Sequence, residues 1–184
     1  MFTDAPLTGE GRKSRERAGF NGEHKMYEKT IEYFEADAYA LNATGISIEE
    51  IGDGRAVCSL MPGEKHVNAD GAVQGGAIYT LADFCFAVAA NAGPIESAGS
   101  PDTVTLAADI SYLRPAKPGE RLFAEATRIK DGRRASFYEV KVFAGSDRER
   151  IIAACVINGV KKQQDSRRAA GPVKDLQNGE RYGD

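Results

Sequence analysis

The sequence has few of the residues on which metal and triad chemistry depend. Only two of its 184 residues, His24 and His66, are histidines. No spacing of histidine, cysteine and carboxylate residues matches a usual metal site, so we predict that no metal is bound. A Ser-His-Asp triad would need His66 as its base, and no G-x-S-x-G nucleophile elbow accompanies it. A serine hydrolase is therefore poorly supported.

Cysteine pairs and targeting segments are also lacking. Cys58, Cys85 and Cys155 are widely spaced, and each lies in an apolar run without a C-x-x-C pair. This pattern predicts no disulfide framework and favours a reducing compartment. The N-terminal residues have no apolar core of the signal-peptide kind. The longest apolar run, residues 77–90, is shorter than the roughly 20 residues that span a bilayer. We expect a cytoplasmic protein with no membrane partner.

Positive charge is not in excess. The 24 lysines and arginines are outnumbered by 27 acidic residues, and the formal net charge is −3. Nucleic-acid-binding domains are normally strongly basic, so we predict no nucleic-acid partner. Hydrophobic residues make up 42% of the chain, which is enough for one sizeable core. The length favours a single domain.

The two ends of the chain differ from its middle. Residues 1–24 are polar and rich in glycine and charge, and residues 161–184 have few apolar side chains. Both compositions predict disordered ends around one domain at residues 25–160. The domain begins with a predicted amphipathic helix over residues 26–42, which Gly45 ends. Its apolar residues recur at spacings of three and four: Tyr27, Ile31, Phe34, Ala38 and Leu41.

The remaining pattern predicts six strands and one further helix. Two strands flank a tight turn at residues 52–54, as in a hairpin. Four more follow the second helix, and the first of these alternates. That alternation predicts a half-buried strand with one apolar face: Val104, Leu106, Ala108 and Ile110. The order predicts an α+β fold, with an antiparallel sheet and its helix packed on one face.

The second helix carries one carboxylate in an apolar setting. Residues 75–91 read GGAIYTLADFCFAVAAN, a helix that is apolar around nearly its whole circumference and therefore expected to be buried. Burying Asp83 without a partner would be costly. Either Asp83 caps another backbone segment or pairs with an arginine, or it borders a ligand cavity as a base or nucleophile.

Two glycines begin this helix. The first N–H groups of a helix are free and carry partial positive charge, and glycine lets a ligand carbonyl approach them closely. Gly75 and Gly76 can therefore form an oxyanion hole, or they can be a plain flexible turn. Gly75 and Asp83 lie about 12 Å apart along one helix, which is too far to contact one carbonyl. A two-fold axis pairing two such helices antiparallel would bring Gly75 of one subunit near Asp83 of the other.

At these residues the sequence resembles the hotdog-fold acyl-CoA thioesterases, specifically the phenylacetate-pathway (PaaI-like) branch. Residues 66–91 read HVNADGAVQGGAIYTLADFCFAVAAN. The family pattern is asparagine, five residues, His-Gly-Gly, then Leu-Ala-Asp. Residues 109–120, DISYLRPAKPGE, match the family's strand that ends in an Arg-Pro bend. The resemblance covers residues 26–160 and implies a hotdog fold, in which the sheet wraps around the long helix and a further helix lies at the N-terminus.

The resemblance also implies residue roles. Asp83 acts as general base or nucleophile on the thioester, and Gly75 polarises its carbonyl from the partner subunit. Asn68 holds the attacking water or the acid. The substrate also meets Gly76, and arginines are candidates for the coenzyme A phosphates: Arg114, Arg133 and Arg134. These arginines can equally be solvent-facing strand ends. The implied assembly is a homodimer or a dimer of dimers, with coenzyme A present only as part of the substrate and no separate cofactor.

One position departs from the family pattern. Gln74 replaces the histidine before the two glycines, and glutamine donates a hydrogen bond but does not titrate near neutral pH. The leading hypothesis is hydrolysis of an aryl- or medium-chain acyl-CoA, with Tyr79, Phe84 and Phe86 lining part of the pocket. The alternative is a catalytically weak acyl-CoA-binding protein. A hotdog hydratase is the weakest hypothesis, because it would need a catalytic histidine near the central helix and neither histidine lies on that helix.

Overall fold

The computed structural model describes residues 26–145 and 148–162. The predicted disordered segments, apart from Lys161 and Lys162, lie outside the described residues. The elements follow the predicted order, and the last strand ends at Lys161, one residue beyond the predicted domain boundary. Their bounds are α1 (Glu28–Glu35), β1 (Ile46–Gly52), β2 (Arg55–Leu60), α2 (Gly75–Ala98), β3 (Thr103–Tyr112), β4 (Leu122–Asp131), β5 (Ala135–Ala144) and β6 (Arg150–Lys161).

The six strands form one antiparallel sheet in the order β1-β2-β4-β5-β6-β3. The sheet wraps around α2, which contacts every strand, and α1 packs against α2. The side chains between sheet and helix form the core. This arrangement confirms the predicted α+β architecture, an antiparallel sheet around a long central helix with an N-terminal helix. It leaves β1 and β3 as the two edges of the sheet.

The first helix is shorter than the sequence predicts. The single helix expected over residues 26–42 is wrong, because α1 ends at Glu35 and a π-helical segment follows at Ala38–Thr44. Between them Asp37 is extended, and its carboxylate accepts from the N–H groups of Tyr39 and Ala40. This cap starts a new helical segment in a new direction. Ala38, predicted on the buried face, is consequently exposed.

The central helix is longer than predicted. The predicted end at residue 91 is wrong, because α2 continues through Gly93 and Pro94 to Ala98. Buried Ala92 and Ile95 extend the helix against the core, so tertiary packing overrides these two breakers. Among the described residues, α2 is long and apolar enough to cross a membrane, but most of its apolar part is buried inside the protein. The apolar composition of α2 is therefore explained by its packing in the core of the protein.

The edge strand β3 contains a bulge. Thr105 pairs with Gly159 of β6 and Ala107 pairs with Asn158, so Leu106 is an extra residue between them. The extra residue reverses the alternation predicted for the start of this strand. Val104 and Leu106, expected on the buried face, are 40% and 65% exposed. Ala108 and Ile110, beyond the bulge, pack against the core as predicted.

Asn91 joins α2 to the start of β3. Its buried side-chain amide bonds both backbone groups of Thr103, donating to the carbonyl at 2.9 Å and accepting from the N–H at 2.9 Å. It also accepts from Asp102 N–H and donates to the Ala87 carbonyl. The Asn91 amide thus makes the two hydrogen bonds that a neighbouring strand would make to the backbone of Thr103. These bonds fix the position of β3 along the helix.

Replacing Asn91 with alanine is expected to lower stability by about 3 kcal/mol, because it leaves several buried backbone groups unpaired. Thermal unfolding at fixed protein concentration measures the loss. Asn42→Ala, which removes the same group from an exposed site, is the matched control. Equal melting temperatures for the two variants would contradict the role assigned to Asn91.

Candidate functional site

Asp83 lies on the side of α2 that faces β3. One of its carboxylate oxygens, Oδ1, accepts a hydrogen bond from the Thr105 hydroxyl at 2.8 Å. Asp83 is half-buried, and within the described residues its partner is neither a backbone cap nor an arginine. Because the hydroxyl holds one oxygen, the carboxylate is oriented and its second oxygen remains available to a ligand. The structure therefore favours the interpretation of Asp83 as a residue that borders a site.

The N-terminus of α2 lies at the Tyr112 end of β3. Gln74 caps the helix, and its side-chain oxygen accepts from Gly76 N–H at 3.3 Å. Gln74 N–H donates to the His66 carbonyl at 2.7 Å, which fixes the approach to the helix. The first N–H groups of a helix have no partner within it. With Gly76 N–H engaged by the cap, Gly75 N–H is the first backbone donor of α2 without a partner within the described part of the chain.

Gly75 is packed closely by Tyr112. The Tyr112 hydroxyl donates to the Gly75 carbonyl at 3.0 Å. A β-carbon at residue 75 would lie 3.2 Å from the Tyr112 ring, tighter than ordinary van der Waals contact. The ring thus occupies the space of a side chain at residue 75. A β-carbon at Gly76 would meet nothing within 4 Å, so that side is open.

Asn68 organises the loop that precedes the helix. Its side-chain oxygen accepts from the N–H groups of Asp70 and Ala72, both at 3.0 Å. Its amide nitrogen is therefore the atom that can face a ligand. His66 is buried in the same loop, with Nδ1 accepting from Gly63 N–H and Nε2 bonded to the Thr44 carbonyl. Both ring nitrogens are engaged, so His66 has a structural role and is unsuited to be the base of a triad.

The three predicted phosphate-binding arginines are not together in one chain. Arg114 follows β3 at its Tyr112 end and donates to the Ile151 carbonyl at 3.1 Å. Arg133 and Arg134 lie in the exposed turn between β4 and β5, next to Lys161 at the opposite end of the sheet. Ten residues of β3 separate the two ends, or about 30 Å. A single chain cannot bring all three to one ligand.

Gly76, Tyr79 and Asp83 lie on one side of α2 that the core does not cover, and we call it the open side. Of the three aromatic residues predicted to line the pocket, only Tyr79 lies there. Phe84 is buried against Phe34 and Phe86 is buried against Tyr138, so their expected place in the pocket lining is wrong. Each fills the core because the sheet covers that face of α2. Burial and then the nearby Asp83 carboxylate raise the pKa of Tyr79, which keeps its hydroxyl protonated.

The cysteines are held as thiols. Cys58, Cys85 and Cys155 are free and buried. Burial, with added effects of Asp109 and Asp83, raises the pKa of Cys155 to about 11, and burial raises that of Cys58. A protonated thiol is a poor nucleophile, so these residues are not candidates for covalent catalysis. In residues 26–145 and 148–162, no three His, Cys, Asp or Glu residues converge as a metal site.

Sequence reasoning missed three residues that shape the site. Thr105, Tyr112 and Asn91 connect β3 to α2 at its middle, at its start and near its end. Their polar side chains, on two elements that also carry many apolar residues, are the signal that was available. Which of them would face the helix depended on the bulge and on the antiparallel run of β3 along α2.

Comparisons with known proteins identify the family of the chain. The family model for the thioesterase superfamily matches residues 70–151. A putative esterase of Deinococcus radiodurans is 34% identical over 119 residues, which are 64% of this chain and 75% of that protein. The acyl-coenzyme A thioesterase PaaI of Escherichia coli is 29% identical over 119 residues, 65% of this chain and 80% of its own length.

A solved structure extends the similarity to the fold. The structure of PaaI, from the phenylacetic acid degradation operon of Escherichia coli, superposes with a TM-score of 0.65 at 25% identity. The superposition covers 76% of this chain and 94% of that one. The hotdog fold implied by the sequence is therefore confirmed.

Proposed function

The chain belongs to the thioesterase superfamily, and we propose that this thioesterase hydrolyses aryl- or medium-chain acyl-CoA to the free acid and coenzyme A. The observation that carries the proposal is the oriented carboxylate of Asp83, held through one oxygen by Thr105 on the open side of α2. A relative is named as an acyl-coenzyme A thioesterase, which supports the substrate class. Half-buried Tyr79 on the same side supports an apolar acyl group.

The proposed reaction uses the free oxygen of Asp83. As a general base, it takes a proton from water while the water oxygen adds to the thioester carbon. The carbonyl oxygen becomes an oxyanion, which Gly75 N–H and the positive end of the helix stabilise. The carbon–sulfur bond then breaks, and the thiolate takes the proton. As a nucleophile, Asp83 would instead attack the thioester carbon and expel the coenzyme A thiolate, and water would then hydrolyse the resulting mixed anhydride to the free acid and the restored carboxylate.

Two amides complete the proposed site. Gln74 uses its side-chain oxygen on Gly76 N–H, so its amide nitrogen is the group that can donate to the thioester carbonyl. The Asn68 oxygen is engaged in its loop, so its amide nitrogen would hold the attacking water or the product acid. Open space beside Gly76 leaves room for the substrate.

We propose that the site is shared between two subunits of a homodimer. Gly75 and Asp83 are about 12 Å apart along one helix, and an antiparallel partner helix would close this gap. Support comes from the edge strand β3, whose backbone has no strand neighbour on one side among the residues that the structure describes. Long apolar edges are normally covered, and this one has apolar side chains that are largely exposed: Val104, Leu106, Tyr112 and Leu113.

The proposed two-fold axis also affects the position of the arginines. The second subunit runs antiparallel to the first. Arg114 of the subunit that supplies Gly75 therefore approaches the end of the sheet that carries Arg133 and Arg134 in the subunit that supplies Asp83. The three could then bind phosphates of one coenzyme A, which guanidinium groups do well. A dimer of dimers would repeat this unit.

A panel of thioesters tests the proposal. The purified protein is incubated with aryl-CoA and with short-, medium- and long-chain acyl-CoA, and release of free thiol is followed. We expect turnover that is highest for the aryl or medium-chain members. Absence of turnover across the panel would overturn the assignment of hydrolysis.

The second candidate function is acyl-CoA binding with little turnover. It is favoured by Gln74, which cannot gain or lose a proton near neutral pH. Acyl-CoA binding in calorimetry without thiol release would support it.

Replacing Gln74 with histidine separates the two candidates further. If a titratable group at this position limits the rate, the variant should raise kcat about tenfold, within the range of an added acid/base group. If the glutamine only orients the thioester carbonyl, kcat should stay the same or fall. Gln74→Asn, which shortens the amide without adding a charge, is the control, and a rise in that variant would contradict the charge explanation.

A further inference from the structure

We propose that Tyr112 is a positioning residue, which holds Gly75 so that its N–H points at the carbonyl oxygen of the substrate. This inference rests on the proposed function, because it assigns to Gly75 the donor of the oxyanion site. Tyr112 lies at the last position of β3, on a different element from Gly75. The contact therefore ties the start of the helix to the edge of the sheet.

The two contacts restrain Gly75 in different ways. The ring lies 3.2 Å from the place of a β-carbon and blocks movement in that direction. The hydroxyl donates to the Gly75 carbonyl at 3.0 Å and so holds the plane of the following peptide group. Glycine is the residue with the most backbone freedom. An oxyanion donor is effective when it is already oriented before the reaction, so this freedom has to be removed by a neighbour.

A packing role alone would not need the hydroxyl. The ring could fill the space beside Gly75 as phenylalanine, whereas only the hydroxyl reaches the carbonyl. Burial, with a smaller effect of Cys155, raises the pKa of Tyr112, so the phenol stays protonated and remains a donor. In the proposed dimer Tyr112 accompanies Gly75. It therefore serves the site whose Asp83 belongs to the partner subunit.

The experiment compares Tyr112→Phe with Tyr33→Phe. Within one chain Tyr33 is 46% exposed and Tyr112 is 50% exposed, and Tyr33 lies on α1 away from the site, so Tyr33→Phe controls for the loss of a tyrosine hydroxyl as such. We expect Tyr112→Phe to lower kcat about fivefold, the effect of losing one hydrogen bond, with KM unchanged and the variant still folded at the assay temperature. Tyr33→Phe should leave kcat unchanged. Tyr112→Leu, which also removes the ring, should lower the melting temperature as well.

An unchanged kcat in Tyr112→Phe would overturn the proposal, as would a rise in KM alone or an equal loss in Tyr33→Phe. The amide resonance of Gly75 gives a second measurement that does not depend on activity. We expect it to shift in Tyr112→Phe and to stay in place in Tyr33→Phe. If the wild-type protein hydrolyses no thioester, the proposed function fails. In that case the amide resonance of Gly75 alone tests whether Tyr112 positions Gly75, and an unshifted resonance in Tyr112→Phe overturns the proposal.

Discussion

Replacing Asp83 with asparagine is expected to lower kcat for thioester hydrolysis at least about 100-fold, the order expected for losing an acid/base group or nucleophile. Asparagine has the same shape, and its side-chain oxygen can still accept from the Thr105 hydroxyl. The fold should therefore be retained, and the loss should come from the missing carboxylate. Thiol release under saturating substrate measures kcat, and thermal unfolding verifies that the variant is folded.

Glu35→Gln is the matched control for this variant. Glu35 is an exposed carboxylate at the end of α1, away from Asp83 and from the edge strand β3. Its replacement should change kcat less than about twofold, because it changes the charge of the protein equally without touching the site. An Asp83→Asn enzyme with wild-type kcat would remove Asp83 from the mechanism. Equal losses in both variants would point to net charge.

Activity is expected to return when two inactive variants share one dimer. Asp83→Asn removes the carboxylate, and Gly75→Pro removes the N–H donor. Proline is favoured at the first position of a helix, and Gln74 has the extended backbone that a following proline requires. In a mixed dimer of the proposed symmetry, one site carries both changes and the other carries neither. Random pairing should therefore restore about a quarter of wild-type activity, and the isolated mixed dimer should have about half of it.

Co-expression of the two variants with different affinity tags provides the mixed dimers. Gly75→Ala is the control for Gly75→Pro, because alanine adds the same β-carbon near Tyr112 but keeps the N–H. Gly75→Ala should retain more activity than Gly75→Pro. Similar inactivity in both would assign the loss to crowding. A mixed dimer as inactive as its parents would show that Gly75 and Asp83 do not form a site across two subunits.

Much of the fold could be predicted because its signals are local. The hairpin turn at residues 52–54, the start of α2 at Gly75 and the order of strands and helices follow from turn residues and from periodicities within each segment. The ends of the two helices could not be predicted in the same way. Burial of Ile95 against the core carries α2 past Pro94, and the Asp37 cap divides the first helix. Both depend on contacts with distant residues or on a backbone conformation that the periodicity does not record.

Some features of the candidate site were likewise predictable from the sequence, and others were not. The sequence alone determined that a single carboxylate, Asp83, would stand among apolar residues two turns after a glycine helix start. It also determined that these two groups lie too far apart to act together in one chain. Helix rise and side-chain period are properties of a segment by itself, so no tertiary contact was needed for either conclusion.

Only the tertiary structure decided which residues face Asp83 and Gly75. The bulge at Leu106 shifts the alternation of β3 by one residue, so that Thr105 faces Asp83 while Leu106 turns to solvent. Since the period of a strand is two, one extra residue exchanges its two faces. The bulge depends on the pairing of β3 with β6, and the position of β3 along α2 is set by Asn91 and Tyr112. These contacts join residues far apart in the chain, which a pattern within one segment cannot specify.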